Sequence, residues 1–438
     1  LNLQKICVIG LGYIGLPTAS TLATHGVKVL GVDINSNIIE SLRKGEIHIQ
    51  EPGLRDVVTQ AIQSGNFTFS TKPEEADVFY IAVPTPFLED EHGEYDGRQY
   101  KLADMGAVTS AATAIVPYLR KGNLVVLEST SPPRTTTDLL VPILERSGLK
   151  AGSDFFLCYS PERVLPGQIM RELIENARVI GGITPESAKA GRAFYQIFVK
   201  GEIIETDATT AEMVKLMENT TRDVNIAIAN EFSRLAERFG VDVWEAIRLA
   251  NLHPRINILS PGPGVGGHCI SVDPWFFVEA APELAQLIYQ ARQVNDAQPK
   301  FVVEKVRQAL GSLQGKKIAA LGLAYKPDVD DLRESPATEV VHLLQEEGAQ
   351  AKVWEPFKPD AHMQGINMVL SLESALAEAE AILLLVRHTE FVRFKPNDIA
   401  LKTKARIAID TVNAWDTNEW QEAGFQYHRL GVNKLPIP

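Results

Sequence analysis

The sequence predicts an α/β fold: two parallel-sheet domains joined by a long central helix and a helical dimerisation region. Three observations predict it. Short apolar strand candidates alternate with helical patterns through the first part of the chain. An unbroken helical stretch without Pro or Gly follows, from Thr209 to Phe239. A second alternating series then starts at Lys317. Strand–helix alternation builds a mostly parallel sheet covered on both faces.

In order, the spacing predicts strands at 5–10, 28–33, 78–83, 124–128, 155–159 and 178–181, with helices at 14–25, 36–44 and 104–118. The polar, acidic stretch Glu89 to Arg98 reads as an exposed loop. In the long helical stretch Thr209 or Thr210 is placed to cap the start and Gly240 to end it. At 1.5 Å per residue such a helix runs about 45 Å, which suits a connector between domains or a dimer core. The last region has strands at 317–321, 351–354, 381–386 and 406–410, and helices at 336–347 and 373–379. A chain of 438 residues is too long for one ordinary core. The expected division is 1–205, 206–314 and 315–438.

Composition is that of a globular protein, with 45% hydrophobic and 22% charged residues. A net charge of −12 argues against nucleic-acid binding as the main task, but leaves room for an anionic ligand in a locally basic cleft. Three cysteines are not a disulfide framework and fit a reducing, cytoplasmic setting. Cys7 and Cys158 fall in apolar strands, where a thiol is buried and inert. The longest aliphatic run, Ile382 to Val386, is too short for a bilayer, and a strand already begins at Lys5, so neither a membrane span nor a signal peptide is expected.

Gly10-Leu11-Gly12-Tyr13-Ile14-Gly15 is a G-x-G-x-x-G that closes a strand and opens a helix. Gly10 permits the tight turn, Gly12 lets the backbone approach a pyrophosphate and Gly15 permits close helix–strand packing, as in a Rossmann-like dinucleotide site. The helix N-terminus favours the phosphates. Asp33, 18 residues after Gly15, ends the next strand; it can accept from a ribose diol and repels a 2′-phosphate, which favours NAD over NADP. Val83-Pro84-Thr85-Pro86 and Glu128-Ser129-Thr130-Ser131-Pro132-Pro133 follow two further strands, at the ends where open α/β sheets bind ligands. Taken alone, they also read as rigid turns.

Gly262 to Cys269 places four glycines in six residues ahead of His268 and Cys269, with Asp273 four residues on. A backbone stripped of side chains can pass close to a ligand. Cysteine is nucleophilic as the thiolate, which a nearby cation, His268 or a distant lysine, favours. Lys215, Asn219 and Arg222 are spaced i, i+4 and i+7 and share a helix face. A cation, an amide donor and a guanidinium together suit a developing oxyanion and an anionic substrate; by themselves they equally describe a solvated face. Pro161 to Gly167 carries Glu162 and Arg163 on a proline-stiffened loop, where Glu162 is either a general base or a member of a surface ion pair.

These blocks together resemble the UDP-glucose/GDP-mannose dehydrogenase superfamily over nearly the whole chain. The resemblance rests on GLGYIGLPTA at 10–19, GEIHIQEP at 45–52, AVPTPF at 82–87, ESTSP at 128–132, SPERVLPGQ at 160–168, TAEMVKLMENTTRDVNIAIANE at 210–231, LANLHPRINILSPGPGVGGHCISVDPW at 249–275 and LAYKPDVDDLRESPA at 323–337. It implies a four-electron oxidation of a sugar C6 hydroxyl to the carboxylate, with NAD as cofactor and no metal. Cys269 is the implied nucleophile, holding the aldehyde as a thiohemiacetal and then a thioester. Lys215 is the implied acid/base or oxyanion residue, helped by Asn219. Glu162, or Asp273 with Thr130 through a water, activates the hydrolytic water, and the choice stays open. Tyr13, Ile14, Asp33, Pro84, Thr85, Thr130 and Arg333 are implied at the cofactor. Arg163, Val164, Lys215, Asn219, Arg222, Gly266, Tyr325 and Lys326 are implied at the nucleotide sugar. His253 and Arg255 match positions that reach the site of a neighbouring subunit in a homodimer or higher oligomer. The HPRINI stretch at 253–258 implies an N-acetylated UDP-sugar, UDP-N-acetyl-D-mannosamine before the glucosamine epimer or UDP-glucose. Two other classes share some features. A single-step hydroxy-acid dehydrogenase needs no cysteine and makes one NADH per substrate, and a non-catalytic nucleotide-binding protein has no use for Cys269, Lys215 and Asn219 together.

Overall fold

A computed structural model describes residues 3–267 and 269–433. The chain divides into two compact units, residues 1–218 with 275–284, and residues 219–274 with 285–438.

The first unit contains β1 (Lys5–Ile9), β2 (Lys28–Val32), β3 (Phe67–Ser70), β4 (Val78–Ile81), β5 (Phe87–Tyr95), β6 (Arg98–Ala103), β7 (Leu124–Leu127), β8 (Phe156–Tyr159), β9 (Arg178–Gly182) and β10 (Ile203–Asp207). Eight of them form one sheet in the order β10-β9-β8-β7-β4-β1-β2-β3. Apart from Lys5 at the start of β1, the central strands β1, β4 and β7 are apolar because both faces are covered: Ile6, Val8, Tyr80 and Val126 point into one core, and Cys7, Phe79 and Val125 into the other. The sheet is parallel except between β8 and β9, where Cys158 lies opposite Gly182 and Tyr159 opposite Gly181. That reversal was not legible in the sequence. It puts Arg178, the first residue of β9, at the end of the sheet where β8 and the strands parallel to it finish.

The second unit carries β11 (Lys317–Leu321), β12 (Gln350–Trp354), β13 (Asn367–Met368), β14 (Ala381–Leu384), β15 (Ile407–Asp410) and β16 (Gln426–Arg429). They form a parallel sheet in the order β13-β12-β11-β14-β15-β16. Again alternate residues serve two cores, Ile318 and Ala320 on one side, Ala319 and Leu321 on the other. The α/β class with two parallel-sheet domains and a long connecting helix is therefore as expected.

The long helix, Ala208–Phe239, has 32 residues and runs about 48 Å. Its cap differs from expectation. Asp207 accepts the N–H of Thr210 at 2.9 Å, so the carboxylate one residue before the helix does what Thr209 or Thr210 was expected to do. Gly240, at φ 70°, ends it as expected. The stretch 89–98 is also corrected. It is a hairpin of β5 and β6, turned by Asp96 and Gly97, both at positive φ, 50° and 71°. The exposed, acidic first strand lacks the apolar alternation that marks a half-buried strand. No described helix is long and apolar enough to cross a membrane.

Candidate active site

The turn after β1 is built around its glycines. A Cβ on Gly10, at φ +92°, would lie 2.3 Å from Ala82 O, and one on Gly15 would lie 1.8 Å from Gly10 O. A Cβ on Gly12 would meet nothing within 4 Å, so that position opens outward. The helix Gly15–Thr24 has no side-chain cap and no acidic residue in its first turn, which leaves its positive end to an anion. Asp33 braces the turn by accepting from Leu11 N at 3.0 Å and Asn35 N at 2.9 Å. Each carboxylate oxygen keeps a further acceptor site for a ribose hydroxyl. These residues fit NAD.

The loops after β4 and β7 are tied together. Ser129 Oγ donates to Val83 O at 2.7 Å, and Thr85 Oγ1 donates to Thr130 O at 2.7 Å, so two of the expected cofactor residues are neighbours. Glu212 of the long helix anchors the same loop, accepting the N–H groups of Arg134 and Thr136 at 2.5 and 2.7 Å. One turn on, Lys215 is buried and donates from Nζ to the backbone oxygen of Glu162 at 2.6 Å. The side chains of Glu162 and Arg163 do not form an ion pair, although the backbone N–H of Arg163 donates to Glu162 Oε1 at 2.6 Å. The Glu162 side chain is buried against Arg178, Oε2 to Nη2 3.0 Å, while Arg163 pairs with Glu218. Val164 packs against the first core. Glu51 steadies the end of this loop by accepting from Gly167 N and Ile169 N, each at 2.8 Å.

In the second unit Asn219 donates from Nδ2 to Asp273 Oδ2 at 2.5 Å. Asp273 is 2% exposed, and its N–H donates to Cys269 O at 2.8 Å, closing a turn beside the thiol. Cys269 is exposed, whereas Cys7 and Cys158 are buried as expected. Burial pushes the Cys7 thiol up to about 12 and the Cys158 thiol higher still. His268 lies outside the described residues. The glycine loop rests on the segment that carries Tyr325: a Cβ on Gly266 would stand 2.4 Å from Glu334 O, and one on Gly267, at φ +84°, 2.7 Å from the Tyr325 ring.

Several residues that hold this loop were not singled out in the sequence. Asn225 and Asn230 of the long helix accept the N–H groups of Leu259 and Gly262 at 2.9 and 3.0 Å. Asn230 in turn donates to Asn295 at 2.9 Å, and Asn295 and Arg292 both donate to Asp223, at 2.8 and 2.6 Å. Asp223 and Asn230 fall on the buried side of the helix, and polar residues in an otherwise apolar phase were the available signal. Glu355, directly after β12, accepts from Leu323 N at 2.7 Å and Ala324 N at 2.9 Å, as Asp33 does after β2. His388 lies 3.0 Å from Glu355 through Nε2 and accepts Asp328 N through Nδ1 at 2.9 Å, which fixes the loop bearing Tyr325 and Lys326. Arg333 is turned onto Asp331 at 2.7 and 2.8 Å. Arg222, His253 and Arg255 are exposed.

A glycine turn shaped for a diphosphate, an acidic residue at the end of β2 and a doubly covered parallel sheet define an NAD-dependent oxidoreductase of the Rossmann type. The chain belongs to the UDP-glucose/GDP-mannose dehydrogenase family: that family's NAD binding domain matches residues 4–199, its central domain 209–297 and its UDP binding domain 319–417. Among its relatives, the UDP-N-acetyl-D-mannosamine dehydrogenase of Methanocaldococcus jannaschii is 48% identical over 98% of this chain and 97% of its own. The NDP-N-acetyl-D-galactosaminuronic acid dehydrogenase of Ralstonia solanacearum is 46% identical over 95% of this chain and 97% of its own. Among solved structures, the UDP-N-acetyl-mannosamine dehydrogenase of Staphylococcus aureus superposes with a TM-score of 0.88 at 43% identity, covering 98% of each chain.

Proposed function

We propose that this protein oxidises the C6 hydroxyl of a UDP-N-acetylhexosamine, UDP-N-acetyl-D-mannosamine first among them, to the uronate through covalent intermediates on Cys269. The observation that carries the reading is an exposed cysteine ending a loop stripped of side chains, near the partly buried Asn219 hydrogen-bonded to the buried Asp273. In this reading residues 1–205 bind NAD, 206–314 supply catalysis and dimerisation, and 315–438 bind the nucleotide sugar. Similarity to the mannosamine enzyme of M. jannaschii supports the substrate.

NAD, when bound, accepts two electrons as hydride in each of two oxidations. The Lys215 ammonium and the Asn219 amide steady negative charge on the C6 oxygen. The Cys269 thiolate adds to the aldehyde carbon; a C–S bond forms, the oxygen takes a proton, and the thiohemiacetal cannot escape. After the second oxidation the thioester is attacked by water, the C–S bond breaks and the thiol returns. Overall, one alcohol, one water and two NAD give one carboxylate, two NADH and three protons. Asp273 is favoured over Glu162 as the group that activates this water, with Thr130 as a further contact, because Glu162 spends its charge on Arg178. Tyr13, Ile14, Pro84, Thr85 and Arg333 belong to the cofactor site. Arg163, Val164, Arg222, Gly266, Tyr325 and Lys326 belong to the substrate site.

A homodimer is part of the proposal. Met213, Met217, Ile228, Phe232, Leu235 and Phe239 leave an apolar stripe exposed along the long helix, with Phe239 72% exposed. A stripe of that kind marks an interaction surface. His253 and Arg255, on the exposed turn after the next helix, then serve the neighbouring subunit. The test is a count of NADH per uronate with five sugar nucleotides: UDP-N-acetylmannosamine, UDP-N-acetylglucosamine, UDP-N-acetylgalactosamine, UDP-glucose and GDP-mannose. Two NADH with the mannosamine substrate, and no uronate from Cys269→Ala, is the expected result. One NADH per substrate, or equal uronate from Cys269→Ala, rejects the covalent route.

A further inference from the structure

The first unit holds a buried ionic cluster that the proposed reaction does not use. Because β9 runs against β8, Arg178 lies beside the loop that follows β8. Its guanidinium, 2% exposed, reaches two carboxyl groups: Nη1 donates to Glu128 Oε1 at 2.8 Å and Nη2 stands 3.0 Å from Glu162 Oε2. Glu128 is 2% exposed and Glu162 8%. The other groups that face the cluster are the Tyr195 ring, 5.0 Å from the guanidinium, the Cys158 thiol of β8, and Lys215, which arrives from the Glu162 side. Burial holds Tyr195 and Cys158 neutral.

Glu128 Oε2 and Glu162 Oε2 each have no hydrogen-bond donor among the described residues, and the two carboxyl groups meet at the same guanidinium. A buried carboxylate oxygen without a donor is costly, and two carboxylates in hydrogen-bond contact do not both stay charged. One proton between them removes both penalties.

We propose that Glu128 is a proton-bearing positioning residue: as a neutral acid it donates to Glu162 and, with Arg178, locks the Glu162 peptide whose carbonyl receives Lys215. Burial, and then the charge of Glu162, push the Glu128 carboxyl well above its ordinary range. Burial also works against Glu162, but Arg178, the hydrogen bond from Glu128 and the N–H of Arg163 outweigh it and hold that carboxyl below its ordinary range. The proton therefore sits on Glu128 and the charge on Glu162. Losing the proton at high pH would leave the Glu162 peptide less supported and put a second negative charge behind Lys215.

The catalytic part of this inference rests on the reading of Lys215 given above, so its test has a readout apart from activity. Glu128→Gln keeps the shape, offers an N–H to Glu162 and cannot ionise. A carboxyl whose folded pKa is raised supports the fold below its unfolded value and loses that support as pH rises through the folded one. The Tm of Glu128→Gln relative to wild type is therefore expected to climb by about 2 °C or more between neutral and alkaline pH. The alkaline limb of kcat should move up by about one pH unit with KM little changed. The wild-type infrared spectrum near neutral pH should show a protonated-carboxyl band, a measurement that stands even if the variant does not fold. A Tm difference that stays flat with pH, or no such band, overturns the shared proton. A pH-dependent Tm difference with an unmoved kcat profile overturns the positioning role while leaving the proton in place.

Discussion

Gly12 and Gly15 lie three residues apart in one turn and are expected to fail in different ways. A methyl group at position 15 would stand 1.8 Å from a backbone oxygen of the same turn, so the helix must shift by more than 1 Å, and Gly15→Ala is expected to cost about 1–3 kcal/mol of stability. At position 12 the methyl meets nothing within 4 Å, so Gly12→Ala should change stability by no more than about 0.5 kcal/mol. Gly12 lies in the turn that leads into the uncapped end of the first helix, where the diphosphate of NAD is expected, so the added methyl is expected to crowd the cofactor. A tenfold loss of affinity is the conservative expectation. Cofactor at 100 times its Kd stabilises the folded state by about 2.7 kcal/mol, and after a tenfold loss by about 1.4 kcal/mol. The NAD-dependent rise in Tm should thus shrink by roughly 3–5 °C for a domain of this size. Thermal melts with and without NAD, and titration calorimetry for Kd, read the two effects separately. An unchanged Kd in Gly12→Ala would refute the assignment of this turn to the diphosphate. A wild-type Tm for Gly15→Ala without NAD would refute the steric argument.

Lys215→Ala is expected to lower the rate of the first hydride transfer at least about 100-fold, the usual cost of removing an oxyanion donor, while the Kd for NAD stays within twofold; stopped-flow NADH absorbance checks it. Iodoacetamide at pH 8 should label Cys269 alone in the native protein, because the Cys7 thiol is pushed up to about 12 and its thiolate fraction is on the order of one in ten thousand; peptide mass spectrometry would show a second labelled site if the burial argument failed. Burial opposes ionisation of Glu355, yet His388 and the N–H groups of Leu323 and Phe357 hold its carboxyl below the ordinary range. Its contribution is present above the unfolded value near 4.3 and is lost as pH falls through the lower folded one, so Glu355→Gln should show a flatter acid limb in Tm against pH.

The local chemistry of the chain was readable without a structure. The G-x-G-x-x-G after an apolar run, Asp33 at the end of the next strand and the glycine loop ending at Cys269 are short stretches in which residue type alone carries the constraint. Short apolar runs at β1, β4 and β7 alternating with helical patterns, and the absence of Pro and Gly from 209 to 239, specified the layers and the connector in the same way. What pairs with what was decided by the tertiary structure. Glu162 and Arg163 are adjacent in sequence, yet each takes a distant partner, Arg178 and Glu218. Arg178 reaches its place only because β9 reverses direction, and a strand's direction is set by pairing and crossover, not by its own residues. Asn230, Asn295 and Asp223 hold the thiol loop across 65 and 72 residues of sequence separation, where no local pattern links them. The sequence by itself determined which groups are chemically able to act. The tertiary structure decided which of them are buried, charged and held in place, because burial and pairing are properties of neighbours that only the folded chain brings together.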